Sequence, residues 1–387
     1  MSGPAEAVVD LAAVASNLRA IAATARTDLM AVVKADGFGH GAVPVARAAV
    51  AAGAAWLGVT SAAEALSLRS AGLTVPILSW LHPHDEDFAR LVAARIDIGV
   101  SSVAHLHAVA GAGARLGVPA AVQLKVDTGL SRNGATREDW PELIAWARKY
   151  EVEGGIRVSA VWSHLVNAEA PGHPSVARQV EAFEEALRFA RGAGLHPRLA
   201  HLANSAAALI APRTRFDLCR IGVALYGVDP FGAMSGGEFG LRPAMTLRSR
   251  VINVKRVPAG TGVSYGPDFV TTRPTTLALL PVGFGDGLPR AAQGRARVWL
   301  GGQRRPIVGR IAMDQCVIDA GDLPVALGDP VVVFGPGTDA AWTVPCGPTE
   351  PTVAEWARWA GTNPHEVLTG IGARVKRSYL SERVETR

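Results

Sequence analysis

The sequence predicts a (β/α)8 barrel followed by a β-rich domain, and three observations carry that prediction. Short apolar, β-branched runs alternate with longer stretches of helical periodicity across residues 30–227. Eight such runs occur, and strands apolar on both faces suit a parallel sheet wrapped by helices. After the glycine-rich "FGAMSGGEFG" (231–240), the texture changes to short strands divided by Gly and Pro turns, with little helix between them.

The barrel strands read in chain order as "MAVVK" (30–34), "AWLGVT" (55–60), "VPILSW" (75–80), "RIDIGV" (95–100), "AAVQLKVD" (120–127), "VSAVWSHL" (158–165), "PRLAHLAN" (197–204) and "CRIGVALYG" (219–227). Between them, "GAVPVARAAVAAGA" (41–54), "SAAEALSLRSAG" (61–72) and "SVARQVEAFEEALRFARGAG" (175–194) space apolar residues three and four apart and finish near glycine, which predicts helices. Eight strand–helix units place a barrel over residues 1–236, with a doubly wound open sheet as the competing arrangement. The β-rich domain, 237–387, draws its strands from "AMTLRSRVINVKRV", "TTLALLPVGF", "ARVWLGGQRRPIVGRI", "QCVIDA" and "DPVVVFG", with one helix at "TVAEWARWAG" (352–361).

A chain of 387 residues, 49% hydrophobic and 19% charged, can bury two substantial cores. Net charge is +5, yet Lys and Arg are scattered and never interleave with aromatics, which excludes a nucleic-acid groove. Cys219, Cys316 and Cys346 are odd in number, far apart and match no metal spacing, so free thiols in a reducing compartment and no metal site are expected. The alanine-rich N-terminus is interrupted by Glu6, Asp10, Asn17 and Arg19 and has no basic leader, unlike a signal peptide. No apolar run reaches about 18 residues, so no membrane span is expected and the cytoplasm is the expected compartment.

In a parallel barrel, functional groups lie at the C-terminal ends of the strands. Lys34 ends the first strand, where desolvation would lower its pKa and expose a neutral amine suited to Schiff-base chemistry. An isolated lysine there could equally snorkel to water. The glycines of "GFGHG" either cradle a phosphate or turn the backbone away from Lys34, and without a fuller motif the turn is the safer reading. Other strand ends carry Lys125, Asp127, His164, Asn204, Ser205 and Arg220. A lone core histidine such as His164 is ordinarily a satisfied packing residue. The loops after strands seven and eight, "NSAA" and "RIGVALYG", offer a hydroxyl and glycine-flanked N–H groups where barrels commonly bind phosphate.

Taken together, "AVVKADGFGHG", "KVDTGLSRNG", "LRPAMTLRS", "GVSYG" and "GRIAMDQ" resemble, in order and spacing, the motifs of the alanine racemases. The resemblance covers nearly the whole chain and implies a pyridoxal-phosphate enzyme, a barrel followed by a β domain, that inverts a small amino acid. It implies that Lys34 carries the cofactor and is one catalytic base, and that Tyr265, arriving from the neighbouring subunit of a homodimer, is the other. Arg220 would face the pyridine nitrogen with His164 beside it, Arg132 would reach the cofactor or the substrate carboxylate, and Asn204, Ser205, Gly222 and Val223 would line the phosphate. Met313 would contact substrate through its backbone, and Lys125 matches a lysine often carbamylated in the family.

Three tyrosines of the family pattern are replaced, by Phe38, Phe284 and His365. The first and third usually reach the phosphate and the second narrows the substrate entrance, so Phe38 and His365 are cofactor-side positions with altered chemistry. "LVNAEAPGHPS" after His164 also departs from the pattern. These changes keep open a racemase of another small amino acid such as serine. A decarboxylase or aldolase of the same architecture would need a carboxylate in place of Arg220 and a reactive cysteine. A cofactor carrier would lack the β domain.

Overall fold

The computed structural model describes residues 5–231, 239–336 and 350–380. All eight expected barrel strands form: β2 (Asp28–Val32), β3 (Trp56–Val59), β4 (Ile77–Ser79), β5 (Asp97–Val100), β6 (Ala120–Lys125), β7 (Ile156–Trp162), β8 (Leu199–His201) and β9 (Leu218–Ile221). They pair in parallel in the order β8-β7-β6-β5-β4-β3-β2-β9. The two outer strands are then joined by loop hydrogen bonds, from the Asp217 N–H to Ala200 and from the Arg220 N–H to Ala203, both 3.0 Å. The arrangement is a barrel and not an open doubly wound sheet, because β2 lies between β3 and β9 and every crossover returns in parallel.

The helices follow their sequence periodicity. Ala62–Ser70 begins with a capping box in which the Ser61 hydroxyl accepts from the Glu64 N–H and the Glu64 carboxylate accepts from the Ser61 N–H. The long helix Pro174–Gly192 buries Val176, Val180, Phe183, Leu187 and Ala190, at three- and four-residue intervals, and exposes its charged face. The expected helix near 352–361 forms as Val353–Ala360, capped by Thr352 and ended by Gly361 in the left-handed region.

The chain forms two compact units, and they interleave in sequence. One takes Ala15–Gly37 and Ala42–Leu225; the other takes the N-terminal residues to Val14, Phe38–Gly41 and everything from Tyr226. The second unit contains a strand that the helix-rich appearance of the N-terminus conceals, β1 (Ala5–Asp10). β1 pairs antiparallel with Met245–Arg250 and parallel with Lys376–Leu380, inside a nine-stranded sheet built from the expected β-rich segments. Its five consecutive buried residues, Ala5 to Val9, show why it reads poorly as a half-exposed strand. Part of the glycine-rich hinge expected over 231–240, and Cys346, lie outside the described residues.

Candidate active site

Lys34 stands two residues beyond the end of β2, after Val33, and the backbone then turns in an uncommon way. Ala35, Asp36 and Gly37 have φ/ψ near 51/51, 52/48 and 62/44, and Phe38 has φ 52. This is one turn of left-handed helix in which three residues carry a Cβ, at a cost of about 1–2 kcal/mol each. Side chains over-determine it. The Glu64 carboxylate accepts from the Ala35 N–H at 2.7 Å while its other oxygen holds Thr60 at 2.8 Å, and Asp36 accepts from Ala42 at 2.8 Å. The turn at Lys34 is therefore made chiefly by non-glycine residues. The glycines beyond it meet other demands: a Cβ on Gly39, at φ +80, would lie 2.3 Å from the Leu368 carbonyl oxygen.

The Lys34 ammonium makes no hydrogen bond or ion pair among the described residues and stands 5.9 Å over the Trp80 ring. Its pKa is lowered, first by burial and then by the positive charge of Arg132, against a raising effect of Glu64 that exceeds the further lowering by Arg220. Lys125 lies 4.3 Å over Trp162 and is lowered to about 8, again by burial first and then by Arg220 and Arg132. His164 is pushed down to about 3 by burial and by Arg220, Arg132, Lys125 and Lys34, so it is neutral near pH 7. Positive charges thus converge at one mouth of the barrel with no acid among the described residues bonded to them, as a site for an anion requires.

Arg132 sits on a tightly built loop. The Asp127 carboxylate accepts from the N–H groups of Gly129, Leu130 and Ser131 at 2.8 to 3.2 Å, and Ala135 closes the loop by backbone bonds to Lys125 and Asp127. Gly134 is obligatory there, since a Cβ would fall 2.5 Å from the Asp127 nitrogen. The Arg132 guanidinium has no hydrogen-bond or ion-pair partner among the described residues.

Arg220, on β9, is buried and nearly saturated. Its Nη1 donates to His201 Nδ1 at 2.9 Å and to the His201 carbonyl at 3.2 Å. Its Nη2 faces the carbonyls of Ser163 and Leu202 at 2.8 and 3.0 Å and His164 Nδ1 at 3.1 Å. Only its Nε–H is without a partner among the described residues. Beside it the Ser205 hydroxyl accepts from the Gly222 N–H at 2.9 Å, tying together the two loops read as a phosphate site. Asn204 caps the Ser205–Ile210 helix through Ala207, and Val223 opens a short 3-10 turn.

The β unit holds the remaining expected residues. Phe38 is buried, its ring 4.8 Å from Tyr226 and 5.8 Å from His365. Tyr265 is 72% exposed and its phenol finds no partner among the described residues, although its loop is anchored by Ser264 donating to the Arg310 carbonyl and by the Arg310–Asp268 ion pair at 2.6 Å. Met313 and Phe284 are also exposed and adjoin one another, the Gly285 N–H donating to the Met313 carbonyl. Cys316 is wholly buried and its thiol is raised to about 12, chiefly by desolvation, which makes it a poor nucleophile. Sequence reasoning missed Glu64, whose only signal was the Ser-x-x-Glu capping pattern, and His201 and Gln123, which carry no motif.

Comparison with known proteins agrees with this geometry. Residues 9–230 match the model of the alanine racemase N-terminal domain, and residues 244–379 that of the C-terminal domain. The chain is 50% identical to the alanine racemase of Salinispora tropica over 98% of its length and 99% of that protein. It is similar to the crystal structure of alanine racemase from D-cycloserine-producing Streptomyces lavendulae, with a TM-score of 0.94 and 45% identity over 98% of both chains. It is also similar, at TM-score 0.84 and 30% identity over 97% of this chain and 99% of the other, to the alanine racemase of Bartonella henselae solved with covalently bound pyridoxal phosphate. Barrel, β domain, motifs and relatives coincide along the whole length, and the chain belongs to the alanine racemase family.

Proposed function

We propose that this chain is a pyridoxal-phosphate-dependent racemase that interconverts L- and D-alanine, working in the cytoplasm as a homodimer whose two sites each draw residues from both copies. One observation carries the reading: a lysine amine at the barrel mouth, unbonded and lowered in pKa, with the free Nε–H of buried Arg220 and the Ser205–Gly222 cradle in the same unit. That donor set fits a pyridine bearing an aldehyde and a phosphate. When bound, pyridoxal phosphate withdraws electrons from the substrate Cα and makes its proton removable.

The chain's own residues do the rest. Lys34 would hold the cofactor, and its amine, when free and neutral, would take or return the Cα proton on one face. Tyr265 from a second copy does so on the other. Its 72% exposure within its own chain, with Met313 and Phe284 exposed alongside, supports a partner covering this patch. Met313 meets the substrate through its backbone. Arg220 would offer the ring nitrogen a donor that keeps its own proton, holding electron withdrawal to what racemisation needs. His164 steadies Arg220, and Arg132 orients the substrate carboxylate. Asn204, Ser205, Gly222 and Val223 hold the phosphate, with Phe38 and His365 as its neighbours. Lys125, neutral in good part near pH 8, can add CO2 and release a proton, becoming an anion that steers Arg132.

Assigning Arg220 to the position where a decarboxylase would need a carboxylate, together with the buried and unreactive Cys316 thiol, supports racemisation over both alternatives of other chemistry. Borohydride reduction of purified protein followed by peptide mapping should fix the cofactor to Lys34, and chiral chromatography of an amino-acid panel should place alanine first. Label on another lysine, or alanine ranking last, defeats the proposal.

A further inference from the structure

Arg220 is the near end of a chain of buried groups that crosses the barrel interior. Its Nη1 meets His201 Nδ1 at 2.9 Å; His201 Nε2 meets Gln123 Oε1 at 2.9 Å; Gln123 Nε2 donates to Asp97 Oδ2 at 3.1 Å. The same Asp97 oxygen contacts the Ser159 hydroxyl, which also faces the Val122 carbonyl at 3.0 Å. All five side chains are buried, and Trp162 stacks on the His201 ring at 5.5 Å and 12°. They come from β9, β8, β6, β5 and β7, and Asp97 and Ser159 line a cavity of about 560 Å³ with Arg69, Arg95, Arg157 and Arg198.

The chain has a single polarity, and each link forces the next. Arginine can only donate, so the His201 nitrogen facing it is the unprotonated one. Burial and the Arg220 charge hold His201 well below its ordinary pKa, so the ring is neutral and its proton is on Nε2. Nε2–H must donate, so Gln123 turns its carbonyl to it and its NH2 to Asp97. The Asp97 oxygen can accept from an amide whether or not the carboxyl is protonated. A reversed Gln123 would put His201 Nδ1–H against an arginine N–H.

We propose that Gln123 and Asp97 are positioning residues of the racemase: through the tautomer of His201 they present an acceptor to Arg220 and hold its guanidinium with Nε–H alone left for the cofactor ring. The inference rests on the reading of Arg220 at the ring nitrogen. It assigns the buried carboxylate of β5, remote in sequence from every motif, a part in restraining side reactions. Asp97→Asn removes the direction, because an amide can present either its oxygen or its NH2 to Gln123.

The test uses full-length protein free of cofactor and labelled with 15N-histidine, with the His201 signals identified from His201→Asn. Long-range proton–nitrogen correlation should show His201 protonated on Nε2 alone between about pH 6 and 8, and in Asp97→Asn a second set of His201 signals, protonated on Nδ1, from molecules in which Arg220 has turned away from the ring. In the loaded enzyme, Asp97→Asn and Gln123→Met should raise the ratio of transamination to racemisation about threefold or more with KM for alanine unchanged, since neither residue touches substrate. A His201 Nδ1–H in the parent protein overturns the inference. So does an Asp97→Asn protein in which tautomer and partition both stay as they were. A tautomer that switches while neither Asp97→Asn nor Arg220→Lys alters the partition overturns instead the placement of Arg220 at the ring. Should Asp97→Asn not fold, the parent tautomer and Gln123→Met decide.

Discussion

Lys34 illustrates how a single side chain acquires chemistry from its surroundings. Its pKa is lowered by burial first and by the Arg132 charge next, with Glu64 opposing, and the sign has two consequences. A lysine whose folded pKa lies below its unfolded value costs stability in full below the folded pKa, and the cost fades as pH rises toward the unfolded one. In the same interval the folded protein already offers a neutral amine. In cofactor-free protein, Lys34 should therefore react with an amine-directed reagent at lower pH than the exposed Lys149, Lys255 and Lys376, and Arg132→Met should move that midpoint upward. Peptide mapping across a pH series would show this, and an unchanged midpoint would mean that Arg132 exerts no field on the amine. The strand-end position of Lys34 was legible, because an apolar run closing on a cation is a local pattern. The His201, Gln123 and Asp97 contacts were not, since they join residues 78 and 26 positions apart whose types alone predict ordinary packing.

Among elements, the left-handed turn after Lys34 is the one whose energetics can be isolated. Ala35 has φ 51 and ψ 51 and gains nothing from its Cβ there. Ala35→Gly should raise stability by up to about 1 kcal/mol, since glycine adopts this region without penalty but also frees the unfolded chain. The same change should lower kcat several-fold by loosening the lysine, a trade read from denaturant midpoints and turnover on one preparation. A loss of stability with full activity would contradict the strained-turn account. The eight barrel strands were legible as elements because each is a short buried run bounded by turn residues. β1 was not, because both of its partners lie more than 230 residues away and nothing local distinguishes it from the start of the helix that follows.

At the scale of the molecule, the proposed sharing of each site between copies makes a prediction that no single-chain site allows. Lys34→Ala and Tyr265→Phe proteins should each be inactive or nearly so. Mixed, unfolded and refolded together, they should recover about a quarter of parental activity, because half the dimers pair the two variants and each such dimer rebuilds one intact site of two. Recovery is read by D-alanine formation, and none at all would place both bases on one chain. The division into a barrel and a β domain was legible from the change in texture. The interleaving of the two units was not, for it depends on which distant segments complete each sheet.

That interleaving also bears on synthesis. Glu6 of β1 bonds to Ser378, 372 residues further on, so at ribosomal rates of about 5–20 residues per second the first strand waits roughly 20 to 75 seconds for its parallel neighbour to be made. The barrel can collapse meanwhile, but the buried strand β1 stays at the edge of the other sheet until the more exposed Lys376–Leu380 has been made. A message cut short would leave that edge exposed, giving chaperones and proteases a ready mark by which to tell an unfinished copy from a finished one.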